Sequence, residues 1–438
     1  MSTTNFETLD QWLNWIESCH PSEIEMGLER LRKVYLAMKL DFGSSRKLIV
    51  GGTNGKGSTI AMLDQVLRDQ GKTVGCFTSP HFLRYNERIK LAGEPVSDAL
   101  IIAAFKAIER VRGETRLTYF EYNTLAALHV FATQQPDVML LEVGLGGRLD
   151  AINIIDADIS VVTTVSVDHI DWLGDDREQI GFEKAGIYRA GKPAVCGDPV
   201  APQKLIDYAS EIGAQLYLRG RDFNLQQLNI KQPDRQSSAP TGWVWQGEAP
   251  NGNIRTISGL PEINLPKANA ATVIQVLQLL DMLPPPEQLR ASLMRASLTG
   301  RMQKKQFDGV EYTLDVAHNP EAAQYLASRL EMSPVSGRTL MVLGMLADKD
   351  IDQVLAHLKP VVDGWFLASL AVPRGQSSDQ LVEKLNGLGV AVDSQAAYGT
   401  VQEALAAVKT SLLPGDRVIV AGSFFTVSDA LTALNMDN

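Results

Sequence analysis

The segment Gly51-Gly-Thr-Asn-Gly-Lys-Gly-Ser58 restricts the possible folds of this chain more than any other. It follows an apolar run, Lys47–Val50, that reads as a strand, and it leads into Ser58–Asp69, which reads as a helix. Thr73–Phe77 then reads as the next strand. Glycines between a strand and a helix let successive backbone N–H groups point at a polyphosphate. The helix N-terminus adds a favourable dipole, and Lys56 adds a mobile positive charge. The strict phosphate-loop spacing is not kept, because Val50 stands where its first glycine belongs and Gly57 follows the lysine where a hydroxyl is expected. A turn that binds nothing is the bland alternative, but strand, loop, lysine and helix agree on a nucleotide.

The same alternation of strand and helix continues along the chain, which predicts an α/β protein with mainly parallel sheets. Val138–Val143 and Ile159–Val165 are apolar runs of strand length, typical of strands buried on both faces. Asn269–Leu280 reads as a helix, Leu283-Pro-Pro-Pro286 breaks it, and Pro286–Arg295 reads as one more short helix. Past Gly300 a second alternation begins, with strands at Tyr312–Asp315, Thr339–Leu343, Gly364–Ala368 and Arg417–Ala421. The expectation is therefore an N-terminal domain over residues 1–297 and a smaller one over 298–438. Leu9–Leu40 reads as two amphipathic helices around His20-Pro21, and the polar, Pro/Ser-rich stretch from Gln232 to Gly247 as a surface excursion.

Charge and cysteine content narrow the partners. A net charge of -10 argues against nucleic acid, which needs a basic face, but not against a small anion held by local cations and backbone N–H groups. No apolar run reaches the ~20 residues of a membrane helix. The polar, acidic start Met1–Glu7 is unlike a signal or transit peptide. Cys19, Cys76 and Cys196 lie far apart, without metal or disulfide spacing, and fit a reducing cytoplasm.

Three polar residues follow three predicted strands. Glu142 ends the VMLLEV run before Gly144-Leu-Gly-Gly-Arg148, His169 follows the next buried run, and Ser79 follows Thr73–Phe77. Carboxyl ends of strands in doubly wound sheets face the ligand crevice, so these side chains can converge on one ion. Magnesium favours oxygen donors, and alone His169 reads as a hydrogen-bonded surface residue and Ser79 as a turn residue. Lys184, beside Glu183, reads alone as a solvated helix lysine. In the second domain Arg301 could stabilise charge on a transferring phosphoryl group, and Asp315 could accept from a ribose hydroxyl. His318 and Asn319-Pro320 read as a loop histidine and a helix start.

Longer motifs now carry a resemblance. Gly75-Cys-Phe-Thr-Ser-Pro-His-Phe82, Asn86-Glu-Arg-Ile89, Leu141-Glu-Val-Gly-Leu-Gly-Gly-Arg-Leu-Asp150 and Asp168-His169 resemble, in order, the signatures of the folylpolyglutamate synthases of the Mur ligase superfamily. Ile24-Glu-Met-Gly-Leu-Glu-Arg30, Leu117-Thr-Tyr-Phe-Glu-Tyr122 and Leu149-Asp-Ala151 resemble segments of their bifunctional branch, the dihydrofolate synthase/folylpolyglutamate synthases. The resemblance covers nearly the whole chain except residues 225–262. It implies a phosphate-loop-type, mostly parallel ATPase domain and a smaller Rossmann-like α/β domain that closes over the nucleotide.

By the same resemblance, ATP contacts Thr53, Asn54, Gly55, Lys56, Gly57, Ser58, Asn269, Arg301, Asp315 and His318. Magnesium, as two ions, sits on Ser79, Glu142 and His169; potassium is a further cofactor, and Lys184 in Glu183-Lys-Ala-Gly-Ile187 is carbamylated. The pterin slot is implied at Glu25, Met26, Gly27, Leu28, Thr118, Tyr119, Phe120, Glu121, Leu149, Asp150 and Ala151, although each could instead be core packing or a cap. Ile152 departs from the pattern, where a threonine is expected. The implied activity is ligation of L-glutamate to dihydropteroate and to folates through an acyl phosphate, by a monomer, with Lys56, Lys184, Arg301 and His318 as catalytic residues.

Three other readings stand beside this one. A monofunctional folylpolyglutamate synthase would not use dihydropteroate. A cell-wall Mur ligase would carry a separate domain before the phosphate loop, which here starts about fifty residues in. A nucleotide-binding module without activity would need neither Arg301 nor Lys184.

Overall fold

The computed structural model describes residues 6–20, 25, 27–227, 242–307 and 309–434. The chain divides into two compact units, Met1–Ala296 and Ser297–Asn438, each built around its own sheet.

The first unit holds an eight-stranded sheet of β1 (Arg46–Gly51), β2 (Val74–Phe77), β3 (Ile89–Leu91), β4 (Glu94–Pro95), β5 (Val138–Glu142), β6 (Ile159–Val162), β7 (Pro193–Cys196) and β8 (Gln215–Leu218). Their order across the sheet is β4-β3-β2-β5-β1-β6-β7-β8. The six from β2 to β8 pair in parallel, whereas β3 and β4 add an antiparallel edge. Every residue of β2, β5 and β6 is buried, as strands covered on both faces require. Register sets the level of the loops that follow. Val50 pairs with Glu142 and Gly51 with Val162, while Phe77 pairs with Leu141. The turns after β1, β2, β5 and β6 therefore leave one edge of the sheet together.

Element bounds differ from the sequence reading where side chains leave the strand pattern. β6 ends at Val162 rather than Val165, because the Thr163 hydroxyl turns to donate to Asn54 O (2.6 Å). The first long helix begins at Lys56 rather than Ser58, straight after Gly55 in the left-handed region. The N-terminal region forms two helices, Leu9–Ser18, started by a Thr8/Gln11 capping box, and Glu29–Met38.

A small antiparallel sheet, β9 (Phe223–Gln227), β10 (Trp243–Glu248) and β11 (Ile254–Leu260), corrects the surface-excursion reading for its last residues. Trp243 and Trp245, two apart on one face, are both fully buried, and Trp245 Nε1 donates to Ala271 O (3.1 Å) on the helix Lys267–Leu279. Two aromatics at the strand period outweighed the polar residues that precede them in the sequence. The rest of that stretch, 232–241, lies outside the described residues.

The second unit carries β12 (Gln303–Phe307), β13 (Val310–Asp315), β14 (Thr339–Leu343), β15 (Gly364–Ala368), β16 (Ala397–Tyr398) and β17 (Arg417–Ala421) in the order β12-β13-β17-β14-β15-β16. All pairs are parallel except β12 with β13. Its core gathers Met341, Leu343, Leu367 and Ile419 from the sheet with Leu326, Val354 and Leu381 from the helices. Among the described residues, no helix is long and apolar enough to cross a membrane.

Candidate active site

The turn after β1 is held in shape by the turn after β6. Thr53 N–H donates to Thr164 O (2.8 Å), Asn54 N–H to Thr164 Oγ1 (3.1 Å) and Thr53 Oγ1 to Ser166 O (3.0 Å). Two glycines are obligatory. Gly52 has φ +136° and leaves no room for a Cβ, which would stand 1.9 Å from Thr163 Oγ1. Gly55 has φ +89°, and a Cβ there would meet the Asn269 amide at 2.6 Å. Asn269, nearly buried, thus packs directly on the loop. Lys56 opens the helix, and its ammonium donates to Gly52 O (3.0 Å) and Thr53 O (3.2 Å). Ser58 is buried two positions on.

A small cavity of about 20 Å³ lies against this loop, lined by Gly52, Lys56, Gly144, Asp168, His169 and Lys184 among others. Lys184 sits in the last turn of the helix Arg177–Ala185 and is only 4% exposed, so the solvated-lysine reading does not hold. Burial first, then repulsion from Lys56, lowers its pKa to about 7, against the pull of Asp168 and Asp150. Burial likewise pushes Asp150 up to about 6, although its oxygens accept the N–H groups of Leu145 (2.8 Å) and Ile152 (2.9 Å). The glycine turn 144–147 is clamped to the lysine helix. Arg148 pairs with Glu183 (2.8 Å) and donates its N–H to Glu183 O (2.8 Å). A Cβ on Gly186 would lie 2.3 Å from that of Arg148.

Of the three candidate metal ligands, two touch through one bond: Ser79 N–H donates to Glu142 Oε2 (3.1 Å). Glu142 is 6% exposed at the end of β5. His169 lines the cavity with φ +55°, its N–H bonded to Asp168 Oδ1 (2.8 Å). The segment before it is anchored by Asp198, whose Oδ2 accepts from Val165 N–H (2.8 Å) and from Arg177 (2.9 Å). Among the described residues no three His, Cys, Asp or Glu side chains stand together as a metal cluster. The candidate set has only two such residues. Its third donor is a hydroxyl, which suits magnesium with water completing the shell.

The candidate pterin residues approach the same glycine turn. Thr118 and Glu121 form a capping box at the start of the helix Tyr119–Gln134, with Thr118 N–H donating to Glu121 Oε2 (2.8 Å). The Phe120 ring lies so close to Gly144 that a Cβ there would stand 2.5 Å from it, and it packs near Phe77 (5.9 Å between centroids). The Tyr119 ring lies under the Arg88 guanidinium at 5.6 Å. Leu149 is half-buried and Ala151 buried. Ile152 is fully buried in the core. Leu28 packs on the same core, Gly27 takes φ +135°, and Glu25 is exposed. Met26 lies outside the described residues.

In the second unit Asp315 ends β13, buried, its oxygens accepting Met302 N–H (2.9 Å) and Ala317 N–H (2.9 Å). Burial raises its pKa, and the Arg301 charge opposes that rise. His318 Nδ1 stands 2.8 Å from Val316 O, and Asn319 caps the helix Pro320–Glu331. Gly300–Met302 and Asp315–His318 are thus neighbours, tied also by Val316 N–H to Gly300 O (2.9 Å).

Sequence reasoning passed over Asp168 as a cavity residue, and over Thr163, Arg148 and the Arg177–Asp198 pair as the parts that fix the loops. A threonine pair directly after a buried strand was the available signal for the first loop clamp.

Two family models match: the Mur ligase middle domain over residues 50–217 and the Mur ligase glutamate ligase domain over 300–424. A dihydrofolate synthase/folylpolyglutamate synthase from Escherichia coli is 41% identical over 427 residues, covering 98% of this chain and 96% of that protein. The solved structure of E. coli FolC in complex with DHPP and ADP superposes with a TM-score of 0.87 at 40% identity, covering 98% of both chains. A bifunctional folylpolyglutamate synthase/dihydrofolate synthase with Mn, AMPPNP and L-glutamate bound gives a TM-score of 0.87 at 42% identity over 98% of both chains.

Proposed function

The chain belongs to the dihydrofolate synthase/folylpolyglutamate synthase family, and on that premise we propose how its residues divide the work of ligation. It is an ATP-dependent ligase that adds L-glutamate to dihydropteroate and to the γ-carboxylate of folyl-polyglutamates, using ATP and a divalent metal. A carboxylate oxygen of the folate substrate attacks the γ-phosphorus and ADP leaves. The glutamate amine then attacks the acyl carbon and loses a proton, and inorganic phosphate departs with the oxygen that had attacked. Such chemistry needs positioning and charge neutralisation more than covalent participation.

Position supports the following division of roles. Thr53–Ser58 hold the polyphosphate, with Lys56 neutralising it and Asn269 packed on the turn at Gly55. Ser79, Glu142 and His169 hold magnesium, which when bound supplies positive charge at the transferring phosphoryl group. Arg301, Asp315 and His318 serve ATP from the second unit, residues 298–438, the glutamate ligase part of the chain. Glu25–Leu28, Thr118–Glu121 and Leu149–Ala151 take the pterin, with Phe120 as its apolar wall. Lys184 suits carbamylation because its lowered pKa of about 7 leaves a large neutral fraction near pH 7, which can add to CO₂ and release a proton; the resulting anion would sit beside Lys56, replacing a repulsion by an attraction. Potassium as a further cofactor, a monomeric state and a cytoplasmic setting belong to the same reading.

The observation that carries it is the shared cavity, where Lys56, His169 and Lys184 meet the glycine turn that Phe120 packs on. Dihydropteroate labelled with heavy oxygen in its carboxylate tests the acyl phosphate. Label transferred to inorganic phosphate is expected, and phosphate free of label with normal product formation would rule that intermediate out.

A further inference from the structure

One side chain joins two of the segments assigned to the folate substrate. Arg30 opens the first turn of the helix Glu29–Met38, and its Nε donates to Glu121 Oε2 (3.0 Å), 91 residues further along. Its Nη2 donates to Glu25 O (2.6 Å) and its Nη1 pairs with the Glu25 carboxylate. His20 Nε2, 2.9 Å from the same carboxylate, closes the chain of contacts. Arg30 is thus used as a planar fork, which a lysine cannot reproduce.

Glu121 is 3% exposed, and its two oxygens differ. Oε2 accepts from Arg30 and from Thr118 N–H, whereas Oε1 is enclosed without a hydrogen-bond partner among the described residues. A buried carboxylate oxygen left without a donor is costly, and binding sites use such atoms for groups that a ligand supplies. Glu121 also follows directly on Phe120, whose ring packs on Gly144 at the edge of the cavity.

We propose that Arg30 is a positioning residue for the folate-type substrate: it holds Glu121 so that Oε1 accepts an N–H of the substrate's heterocycle, and it fastens Glu25 to the same wall. This rests on the reading that Thr118–Glu121 line the substrate pocket. The role is indirect, since Arg30 acts through Glu121. Removing the fork leaves the carboxylate held by Thr118 N–H alone of these two donors, so that it can turn about that bond.

The test compares KM for dihydropteroate and for ATP in Arg30→Lys, Arg30→Gln, Glu121→Gln and the double variant Arg30→Gln/Glu121→Gln, with Phe120→Ala in parallel. Each single change at Arg30 or Glu121 is expected to raise KM for dihydropteroate about tenfold, the scale of one lost charge-assisted hydrogen bond. KM for ATP should stay within about twofold, as loss of binding confined to one substrate requires. The double variant should be no worse than Glu121→Gln, because both changes break one coupled unit. A KM for ATP that climbs in step, additive effects, or an Arg30→Lys enzyme equal to the parent would overturn the proposal. Should Arg30→Gln not fold, Arg30→Lys and Glu121→Gln carry the comparison. Phe120→Ala raising KM while the Arg30 variants leave it unchanged defeats the positioning role alone; no change in any of them defeats the pocket reading beneath it.

Discussion

At the scale of single residues, two lysines share one cavity, and their environments separate their tasks. Lys56 stays at the mouth of the phosphate loop, whereas Lys184 is buried and its pKa is lowered to about 7. Lys56→Ala is expected to lower ligase turnover by at least about a hundredfold, the effect of deleting one preorganised charge from a transition state. A phosphate-release assay at saturating substrates checks it. Lys184 also gives a pH signature. Its folded pKa of about 7 lies below the ordinary 10.5, so between those values the unfolded chain holds a proton that the folded chain has lost. Stability from this group therefore rises with pH across that window and is lost as pH falls toward 7. In CO₂-free buffer the melting temperature should climb from pH 7 to 10 more steeply for the parent than for Lys184→Met. Parallel curves would contradict the buried, neutral amine. Gly55 is the third such residue. Gly55→Ala forces a side chain into the left-handed region and against Asn269, so a loss of about 1–3 kcal/mol of stability and of nucleotide binding is expected. Thermal melts with and without ATP measure both.

At the scale of elements, the sequence was most informative where one period dominates. The buried runs at Val138 and Ile159 and the strands Thr339–Leu343, Gly364–Ala368 and Arg417–Ala421 appear in the structure, because continuous apolar runs have few other uses in a chain of this length, and the helix Pro286–Arg295 appears where proline marks a helix start. It misread the tryptophan strand Trp243–Glu248, where Pro and Ser nearby outweighed a two-residue alternation. It was also silent on the long-range clamps. That Thr163 would bind the loop at Asn54, or Arg148 the helix at Glu183, depends on which strands become neighbours, and local pattern does not encode that. Lys184 shows the same limit from the other side. A lysine on a helix looks solvated until the turn it packs against is known. The capping box at Thr118 allows an element-scale prediction. Thr118→Ala should cost about 1 kcal/mol of stability by freeing the N-terminus of the helix Tyr119–Gln134. Chemical denaturation measures that loss; a variant as stable as the parent would mean that the cap is dispensable.

At the scale of the whole molecule, the first unit gathers a phosphate loop, candidate metal ligands and an apolar wall at one edge of a parallel sheet, where strand ends in such sheets open a crevice. Family membership was legible before the fold because several motifs run to eight residues or more, and each maps to a turn at that edge. An acidic protein with a local cluster of lysines and backbone N–H groups can still bind multiply charged substrates, since charge acts over the few ångströms of a cavity rather than over the whole surface. The most direct measurement is inorganic phosphate released from ATP and L-glutamate with either dihydropteroate or tetrahydrofolate as the acid. Release with both acids, dependent on glutamate and absent in Lys56→Ala, is the predicted result. Release with tetrahydrofolate alone, or release indifferent to glutamate, would contradict the account.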